Sequence, residues 1–178
     1  MITAHAPQTV LHTPRLRLLP LSYAQLEAYI RNDGALEREL GLEPHPRSLD
    51  DALADALTHT ILPGVAAAGE AHLFSTLWTI VHAASASMVG DLCFKGAPDA
   101  AGTVEIGYGT YAAHQGKGYM TEAVAAITQW ALRQPGVTSV TAETEKANSA
   151  SHRTLEKNGF QVVGEDGDML WWRCSATV

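Results

Sequence analysis

The chain has 178 residues, of which 46% are hydrophobic and 17% are charged, and its formal net charge is −7 at pH 7. This length and composition fit one compact domain, so we assign residues 1–178 to a single domain. With 12 Lys and Arg residues against 19 Asp and Glu residues, the chain lacks the basic character that binding to nucleic-acid phosphates requires. The acidic balance suits cationic partners such as amines.

Membrane, disulfide and metal functions are not indicated by the sequence. No apolar run approaches the roughly 18 residues that a membrane helix needs, and the first ten residues lack the features of a signal peptide. We therefore expect a cytoplasmic protein without a membrane partner. Cys93 and Cys174 form no CxxC motif and are predicted to be free, buried thiols. The eight histidines show no metal-ligand spacing, and no metal site is predicted.

The first part of the chain predicts one strand followed by helices. Apolar and polar residues alternate over residues 10–19, which is typical of a strand with one buried face. Ser22 is predicted to cap the first helix, which ends near residues 32–34. The other predicted elements before residue 71 are helices over residues 35–40 and 50–62 and a loop over residues 64–69.

The second part of the chain predicts mainly strands. Residues 72–81 and 88–94 are apolar, β-branched and aromatic runs joined by small residues, which predicts an antiparallel hairpin. The remaining predicted elements are strands over residues 104–111, 139–144, 160–163 and 169–174 and helices over residues 118–134 and 149–158. This order predicts a mixed sheet with helices on its faces.

The most informative segment, residues 105–122, runs from a strand through a glycine-rich turn into a helix. Gly116 and Gly118 remove side chains from the approach, and the start of the helix supplies N–H groups without an intrahelical partner. The backbone amides of residues 116–121, together with Lys117, are therefore predicted to bind a phosphate group. The alternative is a plain turn whose glycines only relieve backbone strain, with Gln115 and Lys117 in solvent.

Two common nucleotide-binding motifs fit this segment poorly. A Walker A loop requires a glycine where Tyr111 stands and a Ser or Thr where Gly118 stands. Gly107, Gly109 and Ala112 match a dinucleotide fingerprint, which keeps an NAD-linked oxidoreductase as an alternative. However, the helix begins about six residues later than that fingerprint requires.

A third phosphate motif, (Gln/Arg)-x-x-Gly-x-(Gly/Ala), is matched by residues 115–120 at every position except the last, which is Met120. A second block, residues 148–160, resembles the pattern Asn-x-x-(Ala/Ser) followed by Glu-Lys-x-Gly-Phe. With both blocks in order, the chain resembles the GNAT superfamily of acetyl-CoA-dependent N-acetyltransferases. Residues 13–16 (TPRL) and 118–123 (GYMTEA) are similar to the branch that contains the ribosomal-protein N-terminal acetyltransferases.

The resemblance implies both a fold and an activity. The implied fold is α+β (mixed α/β) with three layers, in which a mixed, mostly antiparallel, twisted sheet of about six or seven strands is flanked by helices. The implied activity is transfer of an acetyl group from acetyl-CoA, the co-substrate, to a primary amine by direct attack in a ternary complex. A peptide or protein N-terminal α-amine is favoured. The alternatives are a small amine, amino acid or antibiotic as acceptor, or a catalytically degenerate module that only binds acyl-CoA. The oligomeric state is left as monomer or homodimer.

The resemblance also assigns residues to the cofactor. Met120 departs from the motif, and we expect its side chain to point into the core with Val124 and Ile127. Asn148 is predicted to cap the second-block helix and, by resemblance, to contact the pantetheine arm. The full set of predicted cofactor-binding residues is Thr110, Gln115, Gly116, Lys117, Gly118, Tyr119, Met120, Thr121, Asn148 and Ser151.

Catalytic roles are predicted for two residues. Many relatives place a tyrosine that protonates the leaving thiolate at the position of Leu155, so Ser151, one helical turn earlier, is the predicted proton donor. Glu105 is the predicted base, acting through water, and the alternative is a carboxylate that only faces solvent. The developing oxyanion is expected to meet a backbone N–H where the strand over residues 104–111 bulges and splays from the strand over residues 139–144. Residues 36–46 and 63–70 are predicted to form the wall of the site that binds the acceptor, called the acceptor wall below.

Overall fold

The computed structural model describes residues 9–44, 47, 49 and 51–176, without the side chains of residues 52 and 69–71. Within these residues, eight strands form one sheet in the order β1-β2-β3-β4-β5-β6-β8-β7. The strands are β1 (Leu11–His12), β2 (Leu16–Pro20), β3 (Leu77–His82), β4 (Ser87–Phe94), β5 (Thr103–Thr110), β6 (Ser139–Glu145), β7 (Gln161–Asp166) and β8 (Met169–Ser175).

Helices lie on both faces of this sheet. The α-helices are α1 (Tyr23–Arg31), α2 (Ala35–Leu40), α3 (Asp51–Ala56), α4 (Leu62–Ala68), α5 (Tyr119–Leu132) and α6 (Ser149–Lys157). A π-helical turn (Leu57–Ile61) joins α3 to α4, and 3₁₀ turns cover Gly69–Phe74 and Ala112–His114. None of the helices in these described ranges combines the length and apolar character of a membrane span.

The two faces of the sheet carry separate hydrophobic cores. On one face, Val124 and Ile127 of α5 and Leu155 of α6 pack with Trp78 and Phe94. On the other face, side chains of α1, α2 and α4 pack with residues of β2, β3 and β4. The arrangement is the predicted three-layer α+β fold. Every neighbouring pair of strands is antiparallel except β5 and β6.

The sheet has eight strands instead of the predicted six or seven, and the eighth arises because residues 10–19 form a hairpin instead of one strand. β1 pairs with β2, placing Leu11 opposite Leu18. Thr13 closes the turn, since its N–H donates to the Leu16 carbonyl at 2.9 Å and its Oγ1 accepts from the Leu16 N–H at 2.9 Å. Pro14 lies inside this turn, where its fixed φ and missing N–H are tolerated.

Two predicted boundaries before β3 are wrong. Residues 64–68 belong to α4 instead of a loop, because alanine is the best helix former and Val65 buries its side chain against the second core. The predicted strand over residues 72–81 begins only at Leu77. Residues 72–74 instead form a 3₁₀ turn, in which the Leu73 carbonyl accepts a hydrogen bond from the Trp78 indole at 3.0 Å.

Several local predictions are confirmed. Ser22 caps α1 in a capping box with Gln25. At the end of α6, Gly159 has φ +77°, and the Phe160 N–H donates to the Leu155 carbonyl at 3.1 Å, which is the expected Schellman cap. Cys93 and Cys174 are both free, but each is half-buried instead of fully buried.

Candidate active site

The parallel strands β5 and β6 separate at their C-terminal ends. Their pairing runs from Thr103 opposite Ser139 to Ile106 opposite Ala142 and then stops. Beyond this point β5 stays paired with β4 up to Thr110, while β6 stays paired with β8. The predicted splay is therefore present, but the β4–β5 register is continuous and contains no bulge. The backbone of residues 107–110 thus has an unpaired edge that faces β6.

The glycine-rich turn after β5 has the geometry of an anion site. Gly116 and Gly118 have φ values of +74° and +76°, a region that favours glycine. Gly118 is the N-cap of α5, and its carbonyl accepts the first hydrogen bond of the helix from the Glu122 N–H, at 3.2 Å. The N–H groups of residues 119–121 therefore precede the hydrogen-bond ladder at the positive end of the helix dipole. This arrangement fits a pyrophosphate.

Thr13 and Arg15, near the start of the chain, hold this turn in place through hydrogen bonds to Glu122. Glu122 accepts hydrogen bonds from Thr13 Oγ1 at 2.5 Å, from the Arg15 N–H at 2.9 Å and from Arg15 Nε at 2.7 Å. Arg15 also donates from Nη1 to the Lys117 carbonyl at 3.1 Å and lies 5.0 Å from the centre of the Tyr119 ring. The guanidinium thereby offsets the negative charge of Glu122 beside the glycine-rich turn. The TPRL segment (residues 13–16) therefore helps to stabilise the conformation of the glycine-rich turn.

Replacing Glu122 with glutamine is expected to destabilise the protein in a pH-dependent way. Partial burial raises the pKa of Glu122, but the hydrogen bonds from Thr13 and Arg15 outweigh it and leave the pKa below its usual value. A lowered folded-state pKa contributes stability above the unfolded pKa of about 4.3, and this stability is lost as the pH falls through the folded value.

We therefore expect Glu122→Gln to reduce the free energy of unfolding by about 1–3 kcal/mol at pH 7 and by less below about pH 4. Urea denaturation at several pH values measures this difference. Glu156→Gln, at an exposed position of α6, is the matched control. An equal effect of the two substitutions at pH 7 would contradict a stabilising role of the hydrogen bonds that Glu122 accepts from Thr13 and Arg15.

The other residues of the motif support the turn or the core. Gln115 Nε2 donates back to the Thr110 carbonyl at 3.4 Å, and Lys117 Nζ donates to the Ala113 carbonyl at 3.1 Å. Both side chains are exposed. Met120 is buried in the core with Val124, as predicted, so its side chain lies away from the anion site. The departure from the family motif at this position therefore leaves the turn intact.

The start of α6 lies beside the splay. Asn148 caps the helix, as predicted, since its Oδ1 accepts a hydrogen bond from the Ser151 N–H at 3.1 Å. Burial raises the pKa of Tyr108 on β5 to about 12, and the nearby hydroxyl of Ser151 lowers it by less. Two hydroxyl groups are therefore close together between β5 and α6.

Glu105 lies on the opposite face of β5 in a group of charged side chains. It forms an ion pair with Lys95, which also lies 3.5 Å from Glu143 Oε2. Burial lowers the pKa of Lys95, but the hydrogen bond and the charge of Glu105 raise it above its usual value. Because side chains alternate along a strand, Glu105 shares its face with Gly107 and Gly109. It lies about 13 Å along the strand from Gly109.

A cavity of about 760 Å³ lies beside the end of β5, on the face of the sheet that carries Glu105. Leu53 and Leu77 give it apolar walls. Its polar lining includes the backbone of Gly109 and Thr110 and the side chains of Arg47, Asp91 and Tyr111. Arg47 and Leu53 fall between the two segments predicted for the acceptor wall. Of the predicted wall, residues 45 and 46 lie outside the described residues.

A buried carboxylate stands at this cavity and was not predicted from the sequence. Asp91 is 5% exposed, and its Oδ2 accepts hydrogen bonds from the hydroxyls of Tyr29 and Tyr111, both at 2.6 Å. Burial raises the pKa of Asp91, although the two tyrosines lower it. The signal available in the sequence was a charged residue within the apolar run over residues 88–94, because buried carboxylates require partners.

Arg47 is the second unpredicted charged residue at the cavity. Its Nη1 lies 2.9 Å from Glu37 Oε1, and its Cζ lies 4.3 Å from the centre of the Tyr29 ring. The side chains of Arg47 and Glu37 are 0% and 2% exposed. The positive charge of Arg47 is therefore compensated inside the protein.

Comparison with known proteins identifies the family of this fold and site. The family described as Acetyltransferase (GNAT) domain matches residues 15–161. The chain is 32% identical over 163 residues to the uncharacterized N-acetyltransferase YjdG of Bacillus subtilis (strain 168), covering 92% of this chain and 96% of that protein. The chain therefore belongs to the GNAT family and is an acetyl-CoA-dependent N-acetyltransferase.

Solved structures share the fold at low sequence identity. RimL, a ribosomal L7/L12 alpha-N-protein acetyltransferase in complex with coenzyme A, superposes with a TM-score of 0.66 at 15% identity, covering 94% of this chain and 98% of that chain. The microcin C7 self-immunity acetyltransferase MccE, in complex with acetyl-CoA and AMP, superposes with a TM-score of 0.67 at 15% identity, covering 96% and 98%. Within the described part of this chain, no group of His, Cys, Asp and Glu side chains is arranged to hold a metal ion.

Proposed function

We propose that this N-acetyltransferase acts on the α-amino group of a peptide or protein N-terminus. The observation that carries this proposal is the composition of the cavity beside Gly109 and Thr110. Among the described residues that line it, the one cation is Arg47, whose charge is compensated by Glu37. An acceptor with a free α-carboxylate would therefore bury an uncompensated negative charge, whereas a peptide or an amide would not. The apolar walls favour an uncharged first side chain.

The cost of deprotonation also favours an α-amine. A lysine side chain with a pKa near 10.4 costs roughly 4–5 kcal/mol to deprotonate at pH 7, whereas an α-amine with a pKa near 7.7–8.0 costs about 1–1.5 kcal/mol. The proposed base, Glu105, is engaged in an ion pair with Lys95. The smaller cost of deprotonating an α-amine therefore suits this site.

The proposed reaction is direct transfer within a ternary complex. The amine nitrogen forms a bond to the thioester carbon, and the carbon–sulfur bond breaks. The backbone beside Thr110 stabilises the negative charge that develops on the carbonyl oxygen. Because Glu105 lies about 13 Å along the strand from Gly109, it takes the proton that the amine loses through a chain of water molecules, and Ser151 gives a proton to the sulfur and regains one from water. Holding both substrates together supplies much of the rate. The backbone of residues 116–121, with Gln115 and Lys117, binds the pyrophosphate, and Asn148 contacts the pantetheine arm.

The acceptor class is tested with three amines that share one side chain. A leucine-initial tetrapeptide, L-leucinamide and free L-leucine are each incubated with the protein and acetyl-CoA, and the released thiol is measured. We expect kcat/KM for free leucine to be at least 10-fold lower than for the other two amines. Equal or preferred use of free leucine would refute the N-terminal assignment.

The catalytic assignments are tested by two pairs of substitutions. Glu105→Gln is expected to lower kcat/KM by about 10- to 100-fold, and Ser151→Ala by about 10-fold, because positioned acids and bases contribute factors of this order. Glu143→Gln, at the other carboxylate near Lys95, and Ser149→Ala, at the first residue of α6, are the matched controls. A catalytic variant that behaves like its control disproves the assigned role, provided that acetyl-CoA binding is unchanged.

A small apolar amine is the second candidate acceptor. The cavity volume of about 760 Å³ falls in the range of small-molecule sites. Turnover of leucinamide without turnover of the tetrapeptide would favour this alternative. A protein that binds acetyl-CoA but transfers acetyl to no amine would instead be the degenerate acyl-CoA-binding module that Leu155 leaves open.

A further inference from the structure

Two tyrosines hold the buried carboxylate of Asp91 in the same way but have different surroundings. The hydroxyls of Tyr29 and Tyr111 donate to the same oxygen, Oδ2, at the same distance of 2.6 Å. Tyr29 lies on α1, is 0% exposed and packs in the core between this helix and the sheet. Tyr111 is half-buried and lines the cavity. Both tyrosines therefore support Asp91, but only Tyr111 of the two is placed to contact a ligand in the cavity.

The position of Asp91 places this cluster beside the unpaired backbone edge of β5. Asp91 is the direct partner of Gly109 in the β4–β5 ladder. Directly opposite residues of antiparallel strands have Cα atoms about 4.5–5.5 Å apart. Gly109 has no side chain, and a Cβ atom built at this position would meet nothing within 4 Å. The space between the tyrosine–carboxylate cluster and the backbone of Gly109 is therefore open.

The chemistry of the Tyr111 hydroxyl favours a ligand that donates a hydrogen bond. A phenol has one proton, and the proton of Tyr111 is committed to Asp91. Any further hydrogen bond of this hydroxyl to a ligand must be one that its oxygen accepts. Burial and the charge of Asp91 raise the pKa of Tyr111, which keeps the phenol protonated. The neighbouring carboxylate makes this wall of the cavity attractive to an N–H group.

We propose that Tyr111, held by Asp91, accepts a hydrogen bond from the amino group of the acceptor and orients its nitrogen lone pair toward the thioester carbon beside Gly109 and Thr110. This inference rests on the proposed function. Tyr111 contacts the acceptor and undergoes no net proton transfer, because the amine proton leaves through the base already assigned. Asp91 is a positioning residue that acts through Tyr111. The site thus selects a primary amine with an apolar substituent.

The test compares Tyr111→Phe with Tyr29→Phe, because each substitution removes one hydrogen bond to the same carboxylate oxygen. The acceptor is L-leucinamide with saturating acetyl-CoA. We expect Tyr111→Phe to lower kcat/KM for leucinamide by about 10- to 100-fold, mainly through a higher KM, with the Kd for acetyl-CoA unchanged within twofold. Tyr29→Phe is expected to change kcat/KM by less than threefold. Thermal unfolding of both variants verifies that they are folded.

Asp91→Asn supplies an independent measurement. The amide oxygen still accepts from Tyr111, but the negative charge is lost, so we expect kcat/KM for leucinamide to fall by about 10-fold, less than in Tyr111→Phe. Equal effects of the two tyrosine substitutions, or an unchanged KM for leucinamide in Tyr111→Phe, would overturn the inference. In that case, transfer of acetyl to leucinamide by the unmodified protein would still support the proposed function. If that protein transfers acetyl only to free leucine or to a polyamine, the N-terminal proposal fails, and the same pair of variants on that amine decides the role of Tyr111. Absence of transfer to any amine overturns both proposals.

Discussion

Replacing Gly118 with glutamate is expected to raise the Kd for acetyl-CoA by at least 100-fold. The new carboxylate would stand at the N-cap of α5, where the N–H groups of residues 119–121 face the proposed pyrophosphate. Two unit charges 4 Å apart interact by about 4 kcal/mol at an effective dielectric constant of 20, and a 100-fold change in Kd corresponds to about 2.8 kcal/mol. Calorimetric or fluorescence titration with acetyl-CoA measures the change.

Gly136→Glu is the matched control for this substitution. Gly136 has φ +80°, close to the +76° of Gly118, and a Cβ atom there meets nothing within 4 Å. It follows the other end of α5, roughly 20 Å from Gly118. Both variants should lose about 1–2 kcal/mol of stability through backbone strain. Retained acetyl-CoA affinity in Gly118→Glu, or equal loss in both variants, would contradict the position of the anion site.

Replacing Arg47 with methionine is expected to reduce the free energy of unfolding by about 3–5 kcal/mol. Arg47 and Glu37 are an almost fully buried ion pair, with N–O distance 2.9 Å, and Arg47 Nη1 also lies 2.9 Å from Met88 Sδ. Removing the guanidinium leaves the charge of Glu37 inside the core without the cation that compensates it. Urea denaturation followed by tryptophan fluorescence measures the loss.

The double variant Arg47→Met with Glu37→Leu distinguishes lost charge compensation from lost packing. Replacement of both members of a buried ion pair by apolar residues is often neutral or stabilising. We therefore expect the double variant to recover at least half of the stability that Arg47→Met loses. A double variant as unstable as the single one would show that the packing of Arg47 over the Tyr29 ring, at 4.3 Å, accounts for the loss.

The features predicted correctly from sequence are those with local physical causes. Gly116 and Gly118 occupy left-handed backbone conformations that few other residues adopt, and Asn148 caps α6 through a hydrogen bond three residues away. Gly159 ends that helix. In contrast, the alanine-rich segment over residues 64–69 was predicted as a loop from its glycines, although the helix propensity of alanine and the burial of Val65 prevail.

The features that sequence reasoning missed depend on strand order and register. Asp91 reaches Tyr29 across 62 residues of sequence, and Arg15 reaches Glu122 across 107 residues. No periodicity or motif connects positions so far apart. Such partners become neighbours only when α1 packs on the face of the sheet that carries Asp91 and when the hairpin of β1 and β2 places Arg15 beside α5.

The chain of 178 residues with a net charge of −7 has its proposed anion site in backbone amides. Local sequence rules are sufficient to predict the turn that would form this site, because glycine conformations and helix starts depend on a few adjacent residues. The acceptor side is different. The opposition of Asp91 to Gly109 and the compensation of Arg47 by Glu37 arise from tertiary pairing. Charge and hydrogen bonding in a buried cavity depend on which side chains meet across the sheet, and that is settled only when the whole domain folds.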